Sequence, residues 1–220
     1  MSGTGNHEAG LGTQRDIERF RGERNYERYL VDRVATLPEI LADAGYRTYL
    51  AGKWGLGGPQ ALDPTQRGFG KAFALVPSGG GHLQALFHES RYTFNGKPVT
   101  EPEDPIYSTT LFTDQLIAFF EEDRGSDQPF FALFAPTAPH WPLHMPPGMK
   151  VSDEASYDGG YDKLRSLRLA GAALAGVLPE GVNSNPYPSK AIPWDSLDTE
   201  EKALQIKVME IYAAMIGHLD

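Results

Sequence analysis

A helix–turn–strand unit occurs twice in this chain, and each copy runs into a Gly- or Pro-rich loop that carries one cationic or titratable side chain. In the first copy Thr36 precedes Leu37-Pro38-Glu39, an N-cap residue followed by proline in the first turn. Leu37, Ile40, Leu41 and Ala44 recur at helical spacing and Gly45 suits the stop, so a helix is predicted over 36–44. Tyr46 to Ala51 then reads as a short strand, with Lys53 at its carboxyl end in Ala51-Gly52-Lys53-Trp54-Gly55-Leu56-Gly57. In the second copy Ser108 to Glu122 is a helix broken by Gly125, and Phe130 to Ala135 is an apolar run of the kind expected for a strand buried on both faces. Pro136, Pro139, Pro142, Pro146 and Pro147 exclude helix and sheet from the loop that follows, which holds His140. Alternating helices and strands predict an α/β fold, and in an open α/β sheet ligands sit at the carboxyl ends of the strands. Lys53 and His140 are therefore the candidate site residues.

The rest of the chain is read around these two units. Tyr92 to Val99 contains Asn95-Gly96, the strongest two-residue turn signal, and predicts a hairpin on the surface. Residues 151–195 read as a looser insertion, with a helix from Tyr161 to about Leu178. Asp198 with Glu201 forms a capping-box pattern that opens a final helix, along one face of which lie Leu204, Val208, Ile211, Met215 and Leu219. The expected organisation is a core over 1–150, the insertion over 151–195 and the final helix over 196–220.

Charge and residue usage narrow the partners. A formal net charge of -9 offers no basic stripe for a phosphate backbone, so nucleic acid is not an expected partner. No stretch reaches the ~20 apolar residues of a membrane span, and no targeting address is visible at Met1. With no cysteine there is no disulfide, thiolate metal site or cysteine nucleophile, and the compartment stays undetermined. Taken alone, Lys53 also reads as an ordinary solvated lysine, and His140 as a loop histidine bonded to backbone. His7, His82, His88 and His144 read as structural, Gly79-Gly80-Gly81 as a flexible turn, and Glu121-Glu122 as a solvated helix end.

The runs Thr4-Gly5-Asn6-His7-Glu8-Ala9-Gly10-Leu11-Gly12, Ala51 to Gly57, Arg67-Gly68-Phe69, Tyr107-Ser108-Thr109, Ala138-Pro139-His140-Trp141-Pro142-Leu143, Tyr161 to Arg165 and Trp194-Asp195-Ser196-Leu197 follow one another in a familiar order. Together they resemble the middle of the sulfatase N-terminal domain of the bacterial arylsulfatase kind, in the alkaline-phosphatase-like superfamily. The resemblance implies hydrolysis of sulfate esters, whether small molecules or sulfated glycans, by a formylglycine nucleophile beside a divalent cation, usually calcium. It implies that Lys53 binds the sulfate group and that His140 contacts sulfate or protonates the leaving group. Gly55 stands where the family carries a second histidine, and that departure implies slow release of the covalent sulfate. The nucleophile segment and the five metal-ligand positions of the family have no counterpart in these residues. An internal piece of a sulfatase is thus expected, with a mixed, mainly parallel sheet flanked by helices and incomplete at both ends, apolar faces open to association, no calcium held by this chain alone and no activity of its own. For the full-length family a periplasmic or secreted setting is implied. A non-catalytic remnant that binds an anion or a partner fragment, and a phosphatase or phosphodiesterase relative, remain as alternatives.

Overall fold

The computed structural model describes residues 1–12, 19–20, 22–56, 63–76, 80–83, 92–99, 106–150, 157–179 and 192–220. His88, Gly57, Gly79 and most of the proline-rich stretch before Trp194 lie outside the described residues. Two compact units are present, 1–144 and 145–220.

The first unit is built on a five-stranded sheet. Helix α1 (Leu37–Asp43) begins with the anticipated cap: the Glu39 amide donates to Thr36 Oγ1 at 3.2 Å, and the Thr36 amide donates to the Glu39 carboxylate at 2.7 Å. Gly45, at φ 86°, turns the chain into β1 (Arg47–Lys53). The strand runs two residues further than the apolar pattern predicts and ends on Lys53 itself. Parallel pairing to β2 (Lys71–Leu75) and β5 (Phe130–Ala135) carries it on, matching Lys53 with Leu75 and Gly52 with Ala135. The hairpin of β3 (Tyr92–Phe94) and β4 (Lys97–Pro98) turns at Asn95-Gly96 as expected, and β3 joins β2 antiparallel, giving the order β4-β3-β2-β1-β5.

Alternation along β1 and β2 explains why both sheet faces are covered. Leu50, Ala72 and Ala74 point to one face, where Ala9, Leu30, Val31, Val34, Trp54 and Phe69 pack. Tyr49, Ala51, Phe73 and Leu75 point to the other, against Leu111, Phe112 and Phe119 of α2 (Ser108–Glu122). The outcome for β5 differs from the expectation of burial on both faces. Phe130 is 55% and Phe134 37% exposed, because β5 pairs with β1 alone among the described residues and so forms an edge.

Gly52 is the tightest point of the sheet. Its φ of +129° lies in a region L side chains avoid, and a Cβ there would come 2.1 Å from the Ala135 carbonyl oxygen. At the opposite, amino edge, a charge cluster ties the strands to the end of α2. Asp123 accepts from the Tyr49 hydroxyl and from Lys71 Nζ at 3.1 Å, while Lys71 also reaches Glu122 at 2.7 Å and Arg47 donates to the Asp123 carbonyl at 2.8 Å. The Tyr49 hydrogen bond and the two cations hold the Asp123 carboxyl below its ordinary range, and burial together with Asp123 pushes the Tyr49 hydroxyl up to about 12. Glu122 and Glu121 are thus paired rather than merely solvated, the latter with Arg124.

The second unit contains α3 (Gly160–Leu174) and α4 (Thr199–Leu219). Trp194 lies against Gly160, where a Cβ would meet its ring at 2.0 Å, and its amide donates to Asp162 at 3.2 Å. The Asp198–Glu201 capping box opens α4 as anticipated, but burial concentrates at Ala214 and Met215, and Leu204 is exposed. No helix among the described residues is long and apolar enough to cross a membrane.

Two outcomes follow. Gly52→Ala will destabilise the protein by on the order of 3 kcal/mol in urea unfolding, since the clash is with backbone and cannot be relieved by a rotamer. Because the Asp123 carboxyl is held low in the folded protein, its contribution is complete above the ordinary carboxylate range and is lost as pH falls through that range and below. Asp123→Asn will therefore lower stability near neutrality and flatten its fall in acid, as read from thermal midpoints between pH 7 and about pH 3.

Candidate functional site

Strands β1, β2 and β5 run parallel and end at one edge, and the segments leaving them form the candidate site. Lys53 closes β1 half-buried, and strand alternation puts it on the face of Tyr49 and Ala51, the side that α2 covers. Among the described residues no carboxylate pairs with it, whereas Lys71 at the amino edge of the same sheet is paired twice. Trp54 is buried, stands edge-on to Phe69 at 6.0 Å, and its amide donates to Leu75 O at 3.1 Å, which anchors the backbone directly after Lys53. Gly55 takes φ 65° in the turn that follows.

Arg67 supports this loop from beneath. Its side chain is 2% exposed; Nε donates to Glu39 at 2.8 Å, Nη1 to the carbonyls of Leu30 and Val31, and Nη2 to that of Val34. Burial pushes the Glu39 carboxyl up, but the hydrogen bonds from Arg67 and Thr36 outweigh it and hold the group below its ordinary range. The Leu30 amide in turn donates to Leu56 O at 2.8 Å, so the segment fixed by Arg67 fixes the loop after Lys53.

His140 lies on the loop leaving β5, between cis peptide bonds at Ala138–Pro139 and Trp141–Pro142. Its amide donates to Thr137 O at 3.0 Å and its exposed imidazole places Nδ1 2.7 Å from Trp141 O. A carbonyl only accepts, so Nδ1 carries hydrogen, and in the neutral ring Nε2 is an acceptor with no partner among the described residues. The amino end of α2 reaches the same loop, since Ser108 Oγ lies 3.1 Å from Thr137 Oγ1 and Tyr107 donates to His144 O at 3.2 Å. Lys53 thus ends one parallel strand and His140 follows its neighbour at their carboxyl edge, and the positive end of a fifteen-residue helix meets the His140 loop.

Sequence reading did not single out His82, which is fully buried and hydrogen-bonded to this loop. A histidine after three glycines carries no pattern that separates it from a structural one, and only the folded contacts do. Among the described residues no group of three or more His, Asp or Glu side chains is arranged to hold a metal ion.

The mixed α/β sheet, with the candidate residues at the carboxyl edge of its parallel strands, is the architecture expected of the alkaline-phosphatase-like class. The crystal structure of Ps i-CgsB matches all of this chain and 41% of its own, at a TM-score of 0.54 and 18% identity, a likeness of fold. The chain belongs to the sulfatase family, whose model, described as Sulfatase, matches residues 1–220. An uncharacterized sulfatase of Schizosaccharomyces pombe is 40% identical over 237 residues and an arylsulfatase of Klebsiella aerogenes 34% identical over 230, each across 100% of this chain. The chain spans 43% and 48% of those two relatives.

Replacing Arg67 with Met leaves Glu39 and the carbonyls of Leu30, Val31 and Val34 without their buried donor. The expected result is a loss of roughly 3–5 kcal/mol in unfolding free energy, with faster hydrogen exchange at the Leu30 amide than at the Trp54 amide, which β2 holds independently.

Proposed function

We propose that this chain supplies the lysine and histidine part of a site that hydrolyses sulfate monoesters, with aryl sulfates or sulfated sugars as substrates. The observation that carries the reading is the placement of a lysine that pairs with no carboxylate among the described residues, and of a histidine whose Nδ1 meets Trp141 O, on outlets of neighbouring parallel strands in a sulfatase-family chain. A sulfate ester is anionic, and charge builds on the bridging oxygen as the S–O bond breaks. The Lys53 ammonium would hold the sulfo oxygens, with the amino end of α2 adding favourable potential on the same edge. His140, once protonated at Nε2, would donate that proton to the departing oxygen while its Nδ1–H keeps the ring aimed through Trp141 O. The arylsulfatase among its relatives supports this substrate class.

A second reading, anion binding without turnover, is favoured by Gly55 at the position where the resemblance implies a second histidine. One experiment addresses both. Sulfate titrated into the protein and into Lys53→Ala should bind about tenfold more weakly to the variant, the loss of one charge-assisted contact. Equal affinities would contradict the assignment of Lys53. Release of phenol from an aryl sulfate with calcium present, above the buffer rate and diminished by His140→Ala, supports hydrolysis; binding without release supports the second reading.

A further inference from the structure

We propose that His82 is a positioning residue for His140, locking the loop in the one conformation that presents the Nε2 of His140; the consequence for sulfate rests on the function proposed above. His82 is fully buried, and an imidazole removed from water must have both nitrogens satisfied. Nε2 lies 2.9 Å from the His140 carbonyl oxygen, which can only accept, so the proton of the neutral ring is on Nε2. Nδ1 is then the acceptor, and it faces two hydroxyls at 3.1 Å each, Ser108 Oγ at the start of α2 and Thr137 Oγ1 just after β5. Those hydroxyls are 3.1 Å from each other, so their two hydrogens serve the three contacts: one hydroxyl donates to Nδ1 while the other donates to the ring or to its neighbour. Backbone contacts repeat the link: the Ser108 amide donates to His82 O at 2.9 Å, and the His82 amide donates to His144 Nδ1 at 3.4 Å. The ring also stacks on Tyr107 at 5.7 Å and meets His144 edge-on at 5.8 Å. Burial lowers the proton affinity of His82, which keeps this neutral pattern in place.

The consequence falls on His140. Its amide is held by Thr137 O and its carbonyl by His82 Nε2, so both polar groups of its backbone are fixed within one turn. With the backbone fixed, Nδ1 of His140 meets Trp141 O and its Nε2 is left unprotonated and outward. Packing alone would not produce this. A phenylalanine at position 82 would fill the same space, yet it would leave the His140 carbonyl without a donor and the peptide free to rotate. The Ser108 hydroxyl is itself fully buried and accepts no solvent contact, so the Ser108–His82 pair acts by holding the loop.

The test uses the 220-residue protein and three variants, His82→Phe, His82→Asn and His82→Gln, with retained folding checked by thermal unfolding. Glutamine carries an N–H at the reach of Nε2, whereas asparagine places its amide at the level of Nδ1 and cannot donate to the His140 carbonyl. Long-range nitrogen–proton NMR reads the His140 ring directly. The wild-type protein and His82→Gln should show hydrogen on Nδ1 of His140, while His82→Asn and His82→Phe should shift the ring toward the Nε2–H form. Sulfate only accepts hydrogen, so it is bound by the His140 ring carrying hydrogen on both nitrogens, whose Nδ1–H stays on Trp141 O only while the loop is held; the latter two variants should therefore bind sulfate about fivefold more weakly, and glutamine should restore affinity. An unchanged His140 tautomer in a folded His82→Asn protein overturns the proposal, as does failure of glutamine to restore it. A shifted tautomer with unchanged sulfate affinity supports His82 as the positioning residue and counts instead against His140 as a sulfate group.

Discussion

The buried guanidinium of Arg67 is the contact on which the rest of the first unit depends. A cation taken out of water is tolerated only where its donors are met, and here three donor nitrogens reach three carbonyls and the Glu39 carboxylate. The same carboxylate caps α1, and the Thr36 hydroxyl returns a hydrogen bond to Arg67 O at 2.9 Å. A single side chain therefore joins the entry to β2, the start of α1 and the irregular segment that covers one face of the sheet. That segment carries Leu30, Val31 and Val34 into the core beside Trp54 and Phe69. A loop rather than a helix closes this face because Arg67 satisfies its backbone.

The two candidate residues depend on two such polar hubs at different depths. Lys53 ends a strand whose position is set by close approach at Gly52 and whose continuation is fixed through Leu30 and Leu56. His140 belongs to a proline-rich loop outside the sheet, and its backbone is held by Thr137 and by buried His82. Rigid supports of this kind allow a charge and a titratable group to stand ready before substrate arrives, which is where electrostatic catalysis gains most. The acidic cluster of Glu122 and Asp123 lies at the amino edge, paired with Lys71 and Arg47, and so stands away from the edge proposed to receive an anion.

Much of this was legible in the order of residues, and what was not has a physical reason. The helix over Ser108–Glu122 and the strand over Phe130–Ala135 match their predicted bounds, since each combines a clear apolar period with a Gly or Pro stop. The Asn95-Gly96 hairpin and the Thr36 and Asp198 caps were equally local in origin. Lys53 as a strand residue was not legible, because pairing to β2 and β5 rather than local preference decides where β1 stops. The exposure of β5 was hidden for the same reason: an apolar run states what a strand can bury and not how many neighbours it has. Arg67 and His82 were missed as hubs since their partners lie 26 to 58 residues away along the chain, beyond the range of any periodicity.

The central claim is that the carboxyl edge of β1 and β5 receives the sulfo group of a sulfate ester. Its most direct test is a crystal structure of the protein with an aryl sulfate bound. The account predicts sulfo oxygens within about 3.2 Å of Lys53 Nζ and the bridging oxygen facing His140 Nε2. A sulfo group bound away from both side chains, or one held by the Arg47 and Lys71 cluster at the amino edge, would contradict it.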